Sequence, residues 1–287
     1  MPSKPSDNQL QKERQLSTSI LAALEAGEAI MGIYQTDFQV DYKDDRSPLT
    51  QADRTAHDII VQHLQDSGIP ILSEEGRSIP FQDRKSWETL WIVDPLDGTK
   101  EFVKKNGEFT VNIALVKEGT PVMGVVYAPD RSLLYFAMQD LGAYKIADPE
   151  IIRECQVGMQ TGRTTLKDIL KNARKLPLAG QRKKPYTIVG SRSHATPDLE
   201  KFVADKRKTV GEVDFIPAGS SLKICLVAEG KADIYPRLAP TMEWDTAAGH
   251  AVASCSGARI FEYESGITLT YNKENLFNPW FVVESKR

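Results

Sequence analysis

Apolar positions divide the chain into a helix-and-meander half followed by an alternating half. From Leu10, residues Leu16, Ile20, Leu24, Gly27, Met31 and Tyr34 recur at helical spacing, which predicts an amphipathic helix over 10–34. The stretch from Thr36 to Pro48 is polar, charged and aperiodic, and reads as a solvated loop or as a flap over a charged ligand. A second helix is expected over Arg54–Ser67, with Thr50 or Asp53 as candidate N-cap. Ile69–Leu72 reads as a short strand and residues 77–86 as a polar loop. Thr89–Val93 is nearly continuous in apolar and β-branched residues, as a central strand is, and Pro95 predicts that the chain turns directly after it. Phe109–Lys117 and Val122–Ala128 form a predicted hairpin around Glu118-Gly119-Thr120-Pro121, and Leu133–Met138 and Ala143–Ile146 extend it into an antiparallel meander.

The second half alternates. Strands are expected at Tyr186–Val189, Val213–Ile216, Ala232–Tyr235, Ala258–Phe261 and Phe281–Val283. Between them fall helices at Pro197–Lys206, from Ser220 or Ser221 to Glu229, and at Ala247–Ser256, the last two closed by Gly230 and Gly257. The pattern predicts an α+β unit over 1–147 and an α/β unit over 148–287.

Composition narrows the function classes. The chain has 287 residues, 41% of them hydrophobic, enough for a substantial core. Thirty-six Lys and Arg stand against 39 Asp and Glu, a net charge of -3 that offers no basis for general nucleic-acid binding. Three scattered cysteines, Cys155, Cys225 and Cys255, suggest a reducing compartment. No apolar h-region is visible in Met1 to Gln11, and no continuous apolar run approaches the ~20 residues of a membrane span. The expectation is a cytoplasmic protein, at most peripheral on a membrane, working as monomer or homodimer on a small molecule.

The candidate chemistry sits in Asp94-Pro95-Leu96-Asp97-Gly98-Thr99. Two carboxylates that close repel unless a cation lies between them. Such a string is commonly a solvated turn, but this one follows a buried-type strand, where α/β folds place their sites. Gly98 permits close backbone approach, and Thr99 offers a hydroxyl and an N–H at a helix start, a seat for a phosphate. Ser73-Glu74-Glu75-Gly76 puts acids at the end of another strand; if the two strands are neighbours, Glu74 reaches the same cation. Asp245, after Trp244, is an N-cap or a further ligand. His57 and His63 are six apart and share no helix face, so they read as surface or partly buried, and His250 as structural. Gln181-Arg182-Lys183-Lys184 reads as a solvated loop.

Leu72-Ser73-Glu74-Glu75, Trp91 to Thr99, and Trp244-Asp245-Thr246-Ala247-Ala248-Gly249 together resemble the signature segments of the inositol monophosphatase superfamily, magnesium-dependent and lithium-sensitive phosphatases. Thr99-Lys100-Glu101-Phe102, the run from Asn106 to Leu115, Gly219-Ser220-Ser221-Leu222-Lys223 and Ala232 to Arg237 are similar to its 3'(2'),5'-bisphosphate nucleotidase branch, of the CysQ type. The resemblance implies a layered αβαβα sandwich with the site between its halves. It implies two Mg²⁺ ions held by Glu74, Asp94, Asp97, Asp245 and the Leu96 carbonyl, and a third supported by a flap bearing Lys43 and Asp44. Asp53 and Thr99 would orient the attacking water, with Glu74 beside them. Gly98, Thr99, His194, Ser220, Lys223 and Arg237 would hold substrate. The implied reaction is removal of the 3'-phosphate from adenosine 3',5'-bisphosphate, and from its 5'-phosphosulfate relative, in sulfur metabolism. Alternatives on the same scaffold are inositol phosphate or fructose 1,6-bisphosphate hydrolysis; from another class, a non-catalytic nucleotide or metal sensor.

Overall fold

The computed structural model describes residues 6–36, 48–178, 185–191 and 196–286. Its helices are α1 (Asp7–Tyr34), α2 (Pro48–Leu64), α3 (Phe81–Arg84), α4 (Thr99–Val103), α5 (Pro149–Gln160), α6 (Leu166–Asn172), α7 (Pro197–Val210), α8 (Leu222–Ala228) and α9 (Glu243–Cys255). Its strands are β1 (Ile71–Ser73), β2 (Thr89–Asp97), β3 (Thr110–Lys117), β4 (Thr120–Ala128), β5 (Leu133–Met138), β6 (Gly142–Ile146), β7 (Arg174–Lys175), β8 (Tyr186–Ser191), β9 (Val213–Ala218), β10 (Ile234–Arg237), β11 (Arg259–Glu262) and β12 (Phe281–Glu284).

Two sheets organise the molecule. One has seven strands in the order β1-β2-β3-β4-β5-β6-β7; the other has five in the order β11-β12-β10-β8-β9. The first is antiparallel apart from the parallel β1–β2 pair, and from β3 to β6 the strands follow one another through short hairpin connections, which require it. One core packs the outer face of this sheet, with Trp91, Val93, Ile113 and Val125, against Leu16, Ile20 and Leu24 of α1 and Ala56 and Ile60 of α2. A second core joins the inner face, with Leu90, Ile92, Ala114 and Val126, to Ile224 and Cys225 of α8, Ala248 and Val252 of α9, and Tyr235 and Phe281 of the other sheet. The far side of that sheet packs Ile188 and Val282 on Phe202 and Val203 of α7. The layers therefore read αβαβα, as expected. Gly124 makes the central contact possible: a Cβ there would lie 2.4 Å from the Ala248 carbonyl oxygen.

The structure amends several expectations. The chain does not leave its ladder at Pro95: β2 runs on to Asp97, with a register shift against β3 between Asp94 and Asp97. β1 pairs with β2 only as far as Val93, so on that side the missing Pro95 N–H leaves no ladder bond unmade. α2 begins at Pro48, six residues earlier than expected, so neither Thr50 nor Asp53 is its N-cap. The expected division near residue 147 does not follow the layers. Ile152 and Cys155 of α5 and Leu166 and Ile169 of α6 pack into the first core, and β7 joins the first sheet. By length and hydropathy α1 could cross a bilayer, yet half of its most apolar window is buried here against the sheet. The expected flap residues Lys43 and Asp44, the basic run 181–184 and His194 lie outside the described residues.

Candidate active site

Strand pairing builds the acidic centre. In the parallel β1–β2 pair Ser73 lies opposite Val93, and the Glu74 N–H donates to the Val93 carbonyl at 3.2 Å. The next residues of the two strands, Glu74 and Asp94, therefore leave the sheet end together. α9 lies against β2, β3 and β4 and brings Asp245 from the other side. Carboxylate oxygens of Glu74, Asp94 and Asp245 lie within 4.8 Å of one another. Asp245 is the third residue of α9 and not its N-cap; its Oδ2 accepts from the N–H of the N-cap Met242 at 2.9 Å, the contact a capping box makes from that position.

Asp97, at the end of the β2 bulge, stands beside these three without joining the set within 4.8 Å, near enough for its charge to raise each of them. Its Oδ2 accepts from the Ser221 N–H at 2.7 Å. Ser221 is itself fixed by a hydrogen bond from its hydroxyl to the Asp245 carbonyl at 2.6 Å and by one received from Asn112 Nδ2 at 3.1 Å. Inside the bulge, the Leu96 N–H donates to Asp94 Oδ1 at 3.0 Å. Gly98 follows with φ of 98°, and opens α4 at Thr99, a helix start as expected. The left-handed backbone favours glycine there, and a Cβ would also lie 3.2 Å from both the Glu108 carbonyl oxygen and Phe109 Cα.

The electrostatics call for a cation. Burial, then the neighbouring carboxylates, raises Asp94 well above the usual carboxylate range. Burial and Asp97 raise Asp245 to about 7; burial and Asp97 raise Glu74, at the open side of the group, to about 6. Asp97 is raised by burial against the opposing pull of Lys223 and the hydrogen bonds from Ser221. Asp94 Oδ2 is buried with no hydrogen-bond partner among the described residues. Oxygen donors without His or Cys fit a hard divalent cation such as Mg²⁺.

Asp53 lies inside α2 and is 8% exposed; burial, then Glu75 and Glu74, pushes it up to about 8. Its Oδ1 accepts no hydrogen bond from any described residue, Thr99 included. α2 packs on α4, the helix that Thr99 opens.

An open cleft of about 610 Å³ leads away from the acids, lined by Asp97, Gly98, Asp245, Ser220, Lys223 and Arg237 among others. Lys223 is 7% exposed, and burial lowers it to about 8 despite the pull of Asp97. Its ammonium stands over the Tyr235 ring, 5.6 Å from the centroid. Arg237 donates through Nη2 to the Pro240 carbonyl at 2.9 Å, and its Nε has no partner among the described residues. Ser220 has φ of 41° and a buried hydroxyl without a partner among the described residues.

The structure thus brings together Glu74, Asp94, Asp97 and Asp245, and sets Gly98, Ser220, Lys223 and Arg237 along one cleft. Glu75, which acts on Asp53, and Ser221 and Asn112, which brace Asp97, stand inside the segments that carry the family resemblance, but the sequence assigned them no role in the site. His57 bonds Ser73 Oγ at 2.9 Å, His63 bonds Glu25 at 2.7 Å, and buried His250 bonds Tyr271 at 3.0 Å, all outside the acidic group.

Five alternating layers with a carboxylate-lined cleft at the sheet ends define a layered α+β scaffold with a cation-binding centre. The chain matches the inositol monophosphatase family over residues 11–285 and belongs to it; proteins of this family are metal-dependent. It is 43% identical over 91% of its length to the 3'(2'),5'-bisphosphate nucleotidase CysQ of Salmonella typhimurium, covering 96% of that protein. The Escherichia coli K12 protein of the same name is 42% identical over the same shares. The crystal structure of CysQ from Bacteroides thetaiotaomicron superposes with a TM-score of 0.88 at 51% identity, covering 96% of this chain and 98% of that one. SuhB of Mycobacterium tuberculosis, at 22% identity and a TM-score of 0.63, shares the fold.

Proposed function

We propose that this chain is a magnesium-dependent 3'(2'),5'-bisphosphate nucleotidase. It hydrolyses adenosine 3',5'-bisphosphate to adenosine 5'-monophosphate and phosphate, and acts likewise on the 5'-phosphosulfate analogue. One observation carries the substrate reading: buried Lys223 and partly buried Arg237 line the same cleft as Asp97 and Asp245. A ligand filling it needs a scissile phosphate at the acidic, cation-binding end and a second anion at the cationic end. The relatives named for this activity support the same substrate class.

Glu74 and Asp94 would hold one Mg²⁺, and Asp94, Asp97 and Asp245 a second, with the Leu96 carbonyl as a further oxygen donor. Bound there, the ions supply charge that neutralises the reacting phosphate and the departing ribose oxygen and acidifies water. The Thr99 hydroxyl orients the attacking water. Asp53, buried with a free acceptor oxygen, receives a proton from it. The water oxygen bonds to phosphorus as the bond to the 3'-oxygen breaks, and that oxygen takes a proton from solvent. Backbone N–H groups of Gly98 and Thr99, at the start of α4, hold the phosphate oxygens. Lys223 and Arg237 hold the 5'-phosphate. In this reading the enzyme works in the cytoplasm on a dissolved nucleotide.

Lys223→Ala and Arg237→Ala test the reading. Each should raise KM for the bisphosphate roughly 10–100-fold, the loss of one charge-assisted contact. Unchanged turnover of the bisphosphate in both variants would reject the substrate assignment.

A further inference from the structure

Helix α8 is fastened at both ends, and only one fastening belongs to the cleft. At its start Ser221 binds Asp97 and the Asp245 carbonyl, and Lys223 enters the cleft. Directly after its last residue stands Glu229, with no exposed surface. The Glu229 carboxylate accepts from Lys145 Nζ at 2.8 Å and from the Tyr135 hydroxyl, and pairs with Lys231 Nζ at 2.8 Å. Tyr135 lies on β5 and Lys145 on β6, so these contacts tie α8 to the seven-stranded sheet.

Burial works against the Glu229 carboxylate, and its contacts with Lys145, Lys231 and Tyr135 overcome that and hold it below the usual carboxylate range, so the charge is kept at a cost that an apolar side chain would not carry. A carboxylate at a helix C-terminus faces the negative end of the helix dipole. Desolvating the pair opposes much of its attraction, and apolar side chains of similar volume commonly serve as well or better. Fixing one register is the best-attested use of such buried pairs. What α8 carries is Lys223, six residues earlier and about 9 Å along the helix.

We propose that Glu229 is a positioning residue for substrate binding: by anchoring the end of α8 to Tyr135 and Lys145 it sets where the Lys223 ammonium stands in the cleft. The acidic end is supported on β1, β2 and α9, and Ser221 ties the start of α8 to Asp97 and the Asp245 carbonyl directly, so the anchor at the far end of the helix bears on the grip on the second phosphate more than on the chemistry at the first. This rests on the nucleotide bisphosphatase reading.

The test compares KM for adenosine 3',5'-bisphosphate with KM for adenosine 3'-monophosphate, which keeps the reacting phosphate and lacks the other. Glu229→Gln should raise the first about tenfold, one misplaced charge contact, and leave the second within about twofold, with kcat unchanged for both. Tyr135→Phe removes one hydroxyl from the same anchor; it should act in the same direction by roughly threefold, and decides the matter if Glu229→Gln does not fold. The inference is overturned if every folded variant changes both KM values by one common factor, or changes neither. If the unaltered enzyme hydrolyses neither compound, the functional reading falls and this inference with it; if it hydrolyses both and the KM ratio never moves, the inference alone falls.

Discussion

Asp94 is a carboxylate with 1% exposed surface, one oxygen accepting from the Leu96 N–H and the other without a partner among the described residues. Without a cation it is a liability to the fold; with one it is a shared ligand. Asp94→Asn should therefore separate stability from activity. In chelator at pH 8 we expect a melting temperature higher by about 2–4 °C, the change per kcal/mol for a chain of this size. Activity should fall by more than the ~100-fold that loss of an outer-shell partner costs. Parallel melting and phosphate-release assays check both; a lower melting temperature in chelator would contradict the electrostatic account. At this scale the acids were legible because each ends a strand or opens a helix that pattern alone predicts. Asp53 was legible only through the family resemblance: by local pattern it passes for an N-cap, and the earlier start of α2 places it inside the helix, buried. Lys223 was likewise assigned to substrate by the resemblance alone; its burial follows from the place of α8 between two layers.

The decisive element is β2 with its bulge and the glycine after it. The bulge lets Asp94 and Asp97 belong to one strand and still meet one centre, and Gly98 then releases the chain into α4. Gly98→Ala places a side chain on a backbone of φ 98° and close to Phe109 and Glu108. We expect a loss of about 1–3 kcal/mol, read as a melting temperature lower by roughly 2–12 °C, together with a fall in kcat of at least about tenfold as Thr99 is displaced. An unchanged kcat would show that the turn does not place Thr99. The apolar run of Thr89–Val93 announced the strand, but not that β1 stops pairing at Val93 and so makes Pro95 tolerable. That depends on a neighbour's length, which no local pattern carries. The short α3 and α4 went unread as whole elements, since four and five residues show no helical period.

Across the whole molecule, α8 and α9 lie between the sheets and the acids cluster where the two halves meet. Alternating patterns and the family resemblance made those layers legible; the placement of α5, α6 and β7 with the first sheet was not, because their partners lie more than a hundred residues earlier or on the far side of a connection. The clustered acids make stability depend on protons or cations. Asp245 and Asp53 are held near 7 and 8, above the unfolded value of about 4. The native state binds the extra protons between those limits, so this stabilisation is full below about pH 4 and is lost as pH rises through 7 and 8. Buried His250, lowered to about 3, works in the opposite direction but only up to about pH 6.5, where the unfolded imidazole has lost its proton. Between pH 6.5 and 8 the melting temperature in chelator should therefore fall, and saturating Mg²⁺ should flatten or reverse the slope by replacing the protons. A chelated protein that gains stability over that interval would contradict this. The most direct measurement of the central claim is product analysis by ³¹P NMR of adenosine 3',5'-bisphosphate incubated with the protein and Mg²⁺, beside inositol 1-phosphate and fructose 1,6-bisphosphate at equal concentration. The account predicts inorganic phosphate and adenosine 5'-monophosphate, with kcat/KM for the nucleotide above that for either alternative. Absence of phosphate release, adenosine 3'-monophosphate as the product, or faster hydrolysis of the inositol or sugar phosphate would contradict it.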